Sequence, residues 1–231
     1  MPISVIIPTY NEADRILPLL NRIQTLSQDY LEEVIVANAA DSEDHLSEIV
    51  SEMEHVTCLH CARTSRASQM NEAARLAQGE ILYFVHADVL PPKGCLRDIY
   101  NAITSGYDFG LFSYQFDSDH RLLKINSYFT RFDSIFTGGG DQTFFIKKEV
   151  FESMGGYVED LAIMEDFDFF WRLKKAGYKF SIIDNCVKVS ARKYDSNSYF
   201  KVNLVNLITV ILFRLGFCSK RLRRFYQGMI K

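Results

Sequence analysis

Short apolar runs and longer amphipathic stretches alternate along the first ninety residues of the chain. Ile3–Ile7, Glu33–Ala37, Val56–Cys61 and Ile81–Val85 are apolar or β-branched runs of strand length, separated by polar segments with helical periodicity. Ile16, Leu19, Leu20 and Ile23 recur at i, i+3, i+4 and i+7, the spacing of one helix face. Pro18 interrupts that segment, and a proline is tolerated in a first turn, so the helix is expected to start near Leu17. Ser65 is placed to cap a helix over Arg66–Ala77, with Gly79 as its stop. Near-continuous apolar strands alternating with helices predict an α/β fold with a mainly parallel, Rossmann-like sheet flanked by helices.

The pattern changes after Pro91-Pro92. A helix over about Gly94–Ser105, a strand at Phe109–Phe116 and a helix at Leu122–Phe132 are expected, followed by a flexible loop at Gly138-Gly139-Gly140. Thr143–Ile146 reads as a strand, Glu165–Ala176 as a helix stopped by Gly177, and Lys179–Ile183 and Val187–Ala191 as two short strands. Tyr199–Leu215 is a strongly apolar helix with a basic end. No repeat, low-complexity segment or linker divides the chain, so we expect one α/β domain over residues 1–193 and a helical appendage over 194–231.

Composition adds a polarity along the chain. The 26 Lys and Arg against 29 Asp and Glu give a net charge of −3, which argues against a general nucleic-acid binder. Residues 1–191 carry 17 basic and 28 acidic side chains, whereas residues 192–231 carry 9 basic and 1 acidic. An acidic body therefore bears a basic tail. With 48 % hydrophobic residues the chain can bury a core, and disorder is excluded. The N-terminus lacks a basic and hydrophobic leader pattern and the 5 cysteines are odd in number, so a cytoplasmic location is expected. Cys58 and Cys61 have the spacing of half a zinc site, but a two-residue gap in a strand puts them on opposite faces. His45, His55, His60 and His120 have no metal spacing.

Three places carry candidate chemistry. His86-Ala87-Asp88 follows the fourth strand, where open α/β sheets bind ligands and a carboxylate can hold a hard divalent cation; alternatively, Asp88 only turns the chain. Arg66 opens a helix against the macrodipole, a conflict that a phosphate bound there would remove, although a solvated arginine is an equal reading. Glu165, Asp166 and Asp168 open another helix, where acids are favoured by the dipole and where an ionised general base could also sit.

Taken in order, these segments resemble family 2 glycosyltransferases of the GT-A fold. The resemblance runs through Ser4–Glu12, Glu33–Asn38, Arg66–Ala74, Gly79–Asp88, Gly140–Lys148, Phe151–Tyr157 and Met164–Asp166, covering residues 3–193. The H-A-D form, with R-x-x-Q-M-N and a Ser-Ala-Arg192 strand end, is most similar to the radical-SAM/selenodomain-associated transferase subgroup. The resemblance implies an inverting, metal-assisted hexosyl transfer from a nucleotide-diphospho-sugar, a UDP- or GDP-sugar, to an acceptor hydroxyl. It places Pro8, Tyr10, Glu12, Asn38, Arg66, His86, Asp88 and Arg192 at the donor, and Gly140, Asp141 and Gln142 on the acceptor side. It assigns Asp166 as the base with Glu165 beside it, and Asp88 as the ligand of Mg²⁺ or Mn²⁺. Asn38 stands where the family has an aspartate, and His86 where it has the first carboxylate of D-x-D. These losses keep open a nucleotide-sugar-binding protein without catalysis. A sugar-phosphate nucleotidyltransferase is the other alternative.

The acceptor is not specified by the sequence; a lipid-linked one is among the options. Val202–Phe213 is 12 residues long and too short to span a bilayer. With Arg214, Lys220, Arg221, Arg223 and Arg224 after it, the tail has two readings. One is peripheral contact with the inner membrane face; the other is packing against the domain or against a second copy in a homodimer.

Overall fold

The computed structural model describes residues 1–26 and 29–230. The chain begins with β1 (Ile3–Thr9), α1 (Ala13–Gln24), β2 (Leu31–Asn38), α2 (Leu46–Ser51), β3 (Val56–His60), α3 (Arg66–Leu76) and β4 (Ile81–Phe84). It continues with β5 (Val89–Leu90), α4 (Cys95–Thr104), β6 (Phe109–Phe116), α5 (Arg121–Phe129), β7 (Phe144–Lys147) and α6 (Lys148–Ser153). The last elements are α7 (Glu165–Ala176), β8 (Phe180–Val189), α8 (Tyr199–Arg214) and α9 (Ser219–Met229).

Among the described residues the strands form one sheet in the order β3-β2-β1-β4-β7-β6-β8-β5. The parallel expectation holds for β3, β2, β1 and β4. Beyond them the sheet is mixed, because β7 runs antiparallel to both β4 and β6, and β5 antiparallel to β8. The chain leaves β1 toward β2 and β3, then returns to place β4 on the other side of β1. That reversal opens a crevice at the carboxyl ends of β1 and β4.

Alternation along β1 sets the layers. Ile3, Val5 and Ile7 join the apolar cluster under α1 and α4, whereas Ile6 joins the cluster under α3 and α7. On α1, Ile16, Leu19, Leu20 and Ile23 are all buried, each contributing about 1.5–3 kcal/mol relative to exposure. The helix starts at Ala13, earlier than expected, and contains Pro18. Pro18 is exposed, so the Asp14 carbonyl that loses its partner is left to solvent. The start is fixed from outside the helix, by the Ala13 amide donating to Asp44 Oδ2 at 2.9 Å.

Other differences have local causes. Ser65 occupies the N-cap position of α3, but its hydroxyl donates to the Glu159 carbonyl at 3.2 Å and makes no cap bond. Gly79 does not terminate α3, which ends at Leu76; a Cβ there would lie 2.6 Å from the Ser4 amide nitrogen, so the residue permits close backbone approach. The two short strands predicted after α7 are one strand, β8. The polar interruption is a bulge: Phe112 and Tyr114 of β6 face Ile183 and Val187 of β8, so extra residues of β8 bow out. Cys58 and Cys61 do pack on opposite faces of the sheet. Burial pushes the Cys61 thiol up to about 12, far from a thiolate ligand.

Candidate functional site

Five chain segments meet at the crevice. His86-Ala87-Asp88 leaves the end of β4, Arg66 opens α3, and a short helical turn over Gly140–Gln142 leads into β7. Glu165 and Asp166 open α7, and Arg192–Tyr194 forms a turn after β8. Asp88, Asp141 and Glu165 each meet one cation. Asp88 Oδ2 lies 3.3 Å from Arg192 Nη2, Asp141 Oδ2 lies 3.2 Å from Lys193 Nζ, and Glu165 Oε1 lies 3.3 Å from Arg66 Nη1. Asp168, one turn along α7, holds Arg172 at 2.8 Å.

Asp166 is the exception. Among the described residues the basic side chain within 4 Å of it is His86, whose Nε2 is 3.9 Å from Asp166 Oδ2. Burial pulls His86 down to about 3, with Arg66 acting in the same direction. Burial and the neighbouring Glu165 push Asp166 up to about 8, against the attraction of Arg66. Near pH 7 the two face each other as neutral groups, so their approach is not an ion pair. Asp141 behaves oppositely: burial, the largest single influence, works to raise its carboxyl, but Lys193, His86 and Arg66 together outweigh it and hold the group below the usual carboxylate range.

Backbone geometry makes this crowding possible. A Cβ on Gly140 would stand 2.0 Å from His86 Cε1 and 2.7 Å from Asp166 Oδ2, so only glycine lets the loop pass between them. Met164 and Thr143 flank the site with φ of 75° and 52°, conformations that cost of order 1–3 kcal/mol in non-glycine residues.

The predicted residues divide into two groups. Arg66, His86, Asp88, Gly140, Asp141, Glu165, Asp166 and Arg192 converge as described. Pro8, Tyr10, Glu12 and Asn38 lie at the ends of β1 and β2. Pro8 is buried and Tyr10 is half exposed, while Glu12 lies 3.5 Å from Arg15. The Asn38 amide is occupied internally: Oδ1 accepts from Thr9 Oγ1 at 3.2 Å and Nδ2 donates to Asp44 Oδ1 at 3.3 Å. It thereby ties the loop after β2 to β1. Gln142 is also turned inward, donating to the Thr130 carbonyl at 3.1 Å and accepting from the Gly138 amide at 3.1 Å. It shapes the glycine loop rather than facing the crevice.

Sequence reasoning missed three contributors. Lys193 was hidden beside Arg192, although consecutive cations after a strand are a signal. Gln69, buried in α3, bridges β1 and β2 by donating to the Thr9 and Ala37 carbonyls, both at 2.7 Å. Tyr157 carries a buried hydroxyl with no hydrogen-bond partner among the described residues, and both Asp166 and Glu165 raise its pKa electrostatically beyond the effect of burial. Nothing in the local sequence marks that hydroxyl.

Among the described residues no three His, Cys, Asp or Glu side chains are grouped to hold a metal by themselves. Asp88 is 38 % exposed and offers one carboxylate. The donor set therefore fits a hard cation whose remaining oxygens come from a bound diphosphate, and not a resident ion.

A family model described as glycosyl transferase family 2 matches residues 4–167. Dolichol-phosphate mannosyltransferase of Pyrococcus furiosus is 28 % identical over 115 residues, 48 % of this chain and 32 % of that protein. The structure of S. aureus TarS 1–349 in complex with UDP-GlcNAc is similar with a TM-score of 0.69 at 21 % identity, covering 91 % of this chain and 66 % of that one. Mannosyltransferase PcManGT from Pyrobaculum calidifontis, in complex with GDP-Man and Mn²⁺, gives 0.70 at 21 % identity over 90 % and 61 %. The chain thus spans about a third of the curated relative and under two thirds of these two structures. The structural likeness establishes the GT-A fold. These matches reach the family and not the narrower subgroup. With the family model running from β1 into the start of α7, over most of the segments that build the crevice, this chain belongs to glycosyl transferase family 2.

Proposed function

We propose that the chain transfers a hexosyl unit from a nucleotide-diphospho-sugar, UDP- or GDP-linked, to an acceptor hydroxyl by a single inverting displacement. The observation that carries this reading is Asp166: of the acids opening α7 it alone makes no salt bridge to an arginine among the described residues, and it faces the crevice beside neutral His86. A base works best with a pKa near the operating pH, and burial has moved this carboxyl there. Asp166 takes the acceptor proton as the hydroxyl oxygen bonds to the anomeric carbon and the bond to the leaving diphosphate breaks. Arg66, at the N-terminus of α3, and half-exposed Arg192 are placed to exchange their carboxylate partners for phosphate oxygens. Mg²⁺ or Mn²⁺ held by Asp88 would supply Lewis-acid stabilisation of the departing diphosphate. Gly140 and Asp141 border the acceptor side, with Lys193 holding Asp141 in place. The acceptor proposed is lipid-linked, with the basic tail toward the cytoplasmic face of a membrane.

A thermal-shift series with UDP- and GDP-sugars, with and without Mn²⁺, tests the donor site. A donor at about 100 times its Kd stabilises by roughly 2.7 kcal/mol, or about 5–10 °C for a chain of this size. Arg66→Ala is expected to abolish the shift. The absence of a shift with every nucleotide sugar would overturn the reading, and pyrophosphate release from a nucleoside triphosphate and a sugar phosphate would replace it with nucleotidyl transfer.

A further inference from the structure

Helix α8, the first of the two helices after β8, is apolar on two sides. Val202, Val205 and Thr209 are buried against the domain, yet Phe200, Leu204, Ile211 and Leu215 form a second stripe along its opposite side. That stripe is exposed, with Phe200 at 74 % and Leu215 at 70 %. A surface helix normally turns polar residues to solvent, so this stripe lacks its partner. The body of the domain extends it. On α5 and the segment after it, Ile125, Phe129, Phe132 and Phe136 are also exposed, Phe129 at 60 %. A hydrogen bond joins the two elements: Asn126 Nδ2 donates to Asn203 Oδ1 at 3.0 Å, and Ile125, Phe129, Phe200 and Leu204 each lie within one helical turn of that bond. Contiguous exposed apolar surface of this kind marks an interaction site.

Charge identifies the occupant. On α9, Lys220, Arg221, Arg223 and Arg224 are exposed around buried Leu222, and among the described residues none of the four pairs with a carboxylate. Residues 192–231 hold 9 basic side chains and Asp195 as the sole acid. Aromatic and aliphatic side chains beside unpaired cations suit an anionic lipid surface, where the rings enter the headgroup boundary and the cations meet phosphate. Among the described residues no helix is long and apolar enough to cross a bilayer. The surface is therefore suited to lying on a membrane.

We infer that α5, residues 130–136, α8 and α9 form one docking face for an anionic phospholipid bilayer, with the inserted part drawn from the domain body as well as the tail. This deepens the proposed function by giving its acceptor a route. Gln142 ties Gly138, in the glycine loop, to the carbonyl of Thr130 at the end of α5, and Ser219 of α9 accepts from the Ala162 amide just before α7. Tyr226 of α9 lies within electrostatic reach of Lys193 and Asp141. The acceptor side of the crevice consequently borders the docking face, and an acceptor anchored in lipid can reach Asp166 without leaving the membrane.

Docking is tested without donor or acceptor, so its failure is separable from failure of the transferase reading. The full chain is sedimented with vesicles of phosphatidylcholine alone or containing phosphatidylglycerol. Binding is expected only to the anionic vesicles, and is expected to fall away at about 1 M salt, where the Debye length is about 3 Å. Combined Arg221→Gln, Arg223→Gln and Arg224→Gln are expected to weaken it about 100-fold. Combined Phe129→Ser and Phe132→Ser should weaken it at least about tenfold. Both variants should keep the wild-type melting temperature, since these side chains are exposed. Absence of binding to anionic vesicles, or binding undiminished in both variants, would overturn the inference. So would a dimer in light scattering that Phe129→Ser with Leu204→Ser splits into monomers while vesicles stay unbound, because the face would then join two copies.

Discussion

Replacing Asp166 by Asn is expected to make the protein more stable and unable to turn over. The native carboxyl keeps its proton up to about pH 8, whereas in the unfolded chain it releases it near the ordinary value of 3.8. The native state therefore binds more protons between those limits, and stability falls as pH rises through them. Each pH unit costs about 1.4 kcal/mol, which sets a ceiling of about 4 kcal/mol by pH 7. Asparagine has the same shape and no charge to bury, so it escapes this cost. Allowing for relaxation around a charged Asp166, the gain should be about 1–3 kcal/mol at pH 8, or roughly 2–12 °C in Tm. Below about pH 3 both states of the wild type are protonated and the gain should vanish. Calorimetric melting of the two proteins at pH 5 and pH 8 measures it. A gap of equal size at both pH values, or an Asn variant less stable at pH 8, would refute the placement of Asp166 as a buried acid without a compensating cation.

The remaining expectations concern the same crevice. Tyr157→Phe removes a buried hydroxyl that has no partner among the described residues, so stability should hold or rise by up to about 1 kcal/mol in urea unfolding; a loss above about 1 kcal/mol would contradict the unpartnered hydroxyl. Gly140→Ala puts a methyl group 2.0 Å from His86 Cε1 and should lower kcat about 100-fold while melting shows a cost of about 1–3 kcal/mol; kinetics like the wild type would contradict the close approach. In a pH series, kcat/KM should rise about tenfold per pH unit until it levels near pH 8, as Asp166 ionises; a profile flat from pH 5 to 8 would remove it as the base.

Much of the fold was legible because hydrophobic period and burial coincide. The run Ile3–Ile7 and the i, i+3, i+4, i+7 face of α1 carry their own signal, and both sit where that signal placed them. Failures occurred where a distant partner overrides a local rule. Pro18 stands in the interior of α1 because Asp44, far along the chain, fixes the helix start. Ser65 has the cap position, yet its hydroxyl is taken by the Glu159 carbonyl. The site followed the same division. Asp166, His86 and Arg66 stand out by residue type and position at element ends, and the structure brings them together at the crevice. The amides of Asn38 and Gln142 are hydrogen-bonded inside the protein, a fact that only tertiary contacts reveal. Lys193 was overlooked because its partner Asp141 lies 52 positions away.

The central claim is that Asp166 is the base of a nucleotide-sugar-dependent transfer. The direct test is to take the donor that shifts the melting temperature and follow release of its nucleoside diphosphate by wild type and Asp166→Asn in the presence of anionic lipid carrying acceptor hydroxyls. The prediction is an unchanged donor Kd with release slowed by about 10²–10⁴ in the variant. Equal release by both proteins would contradict the account.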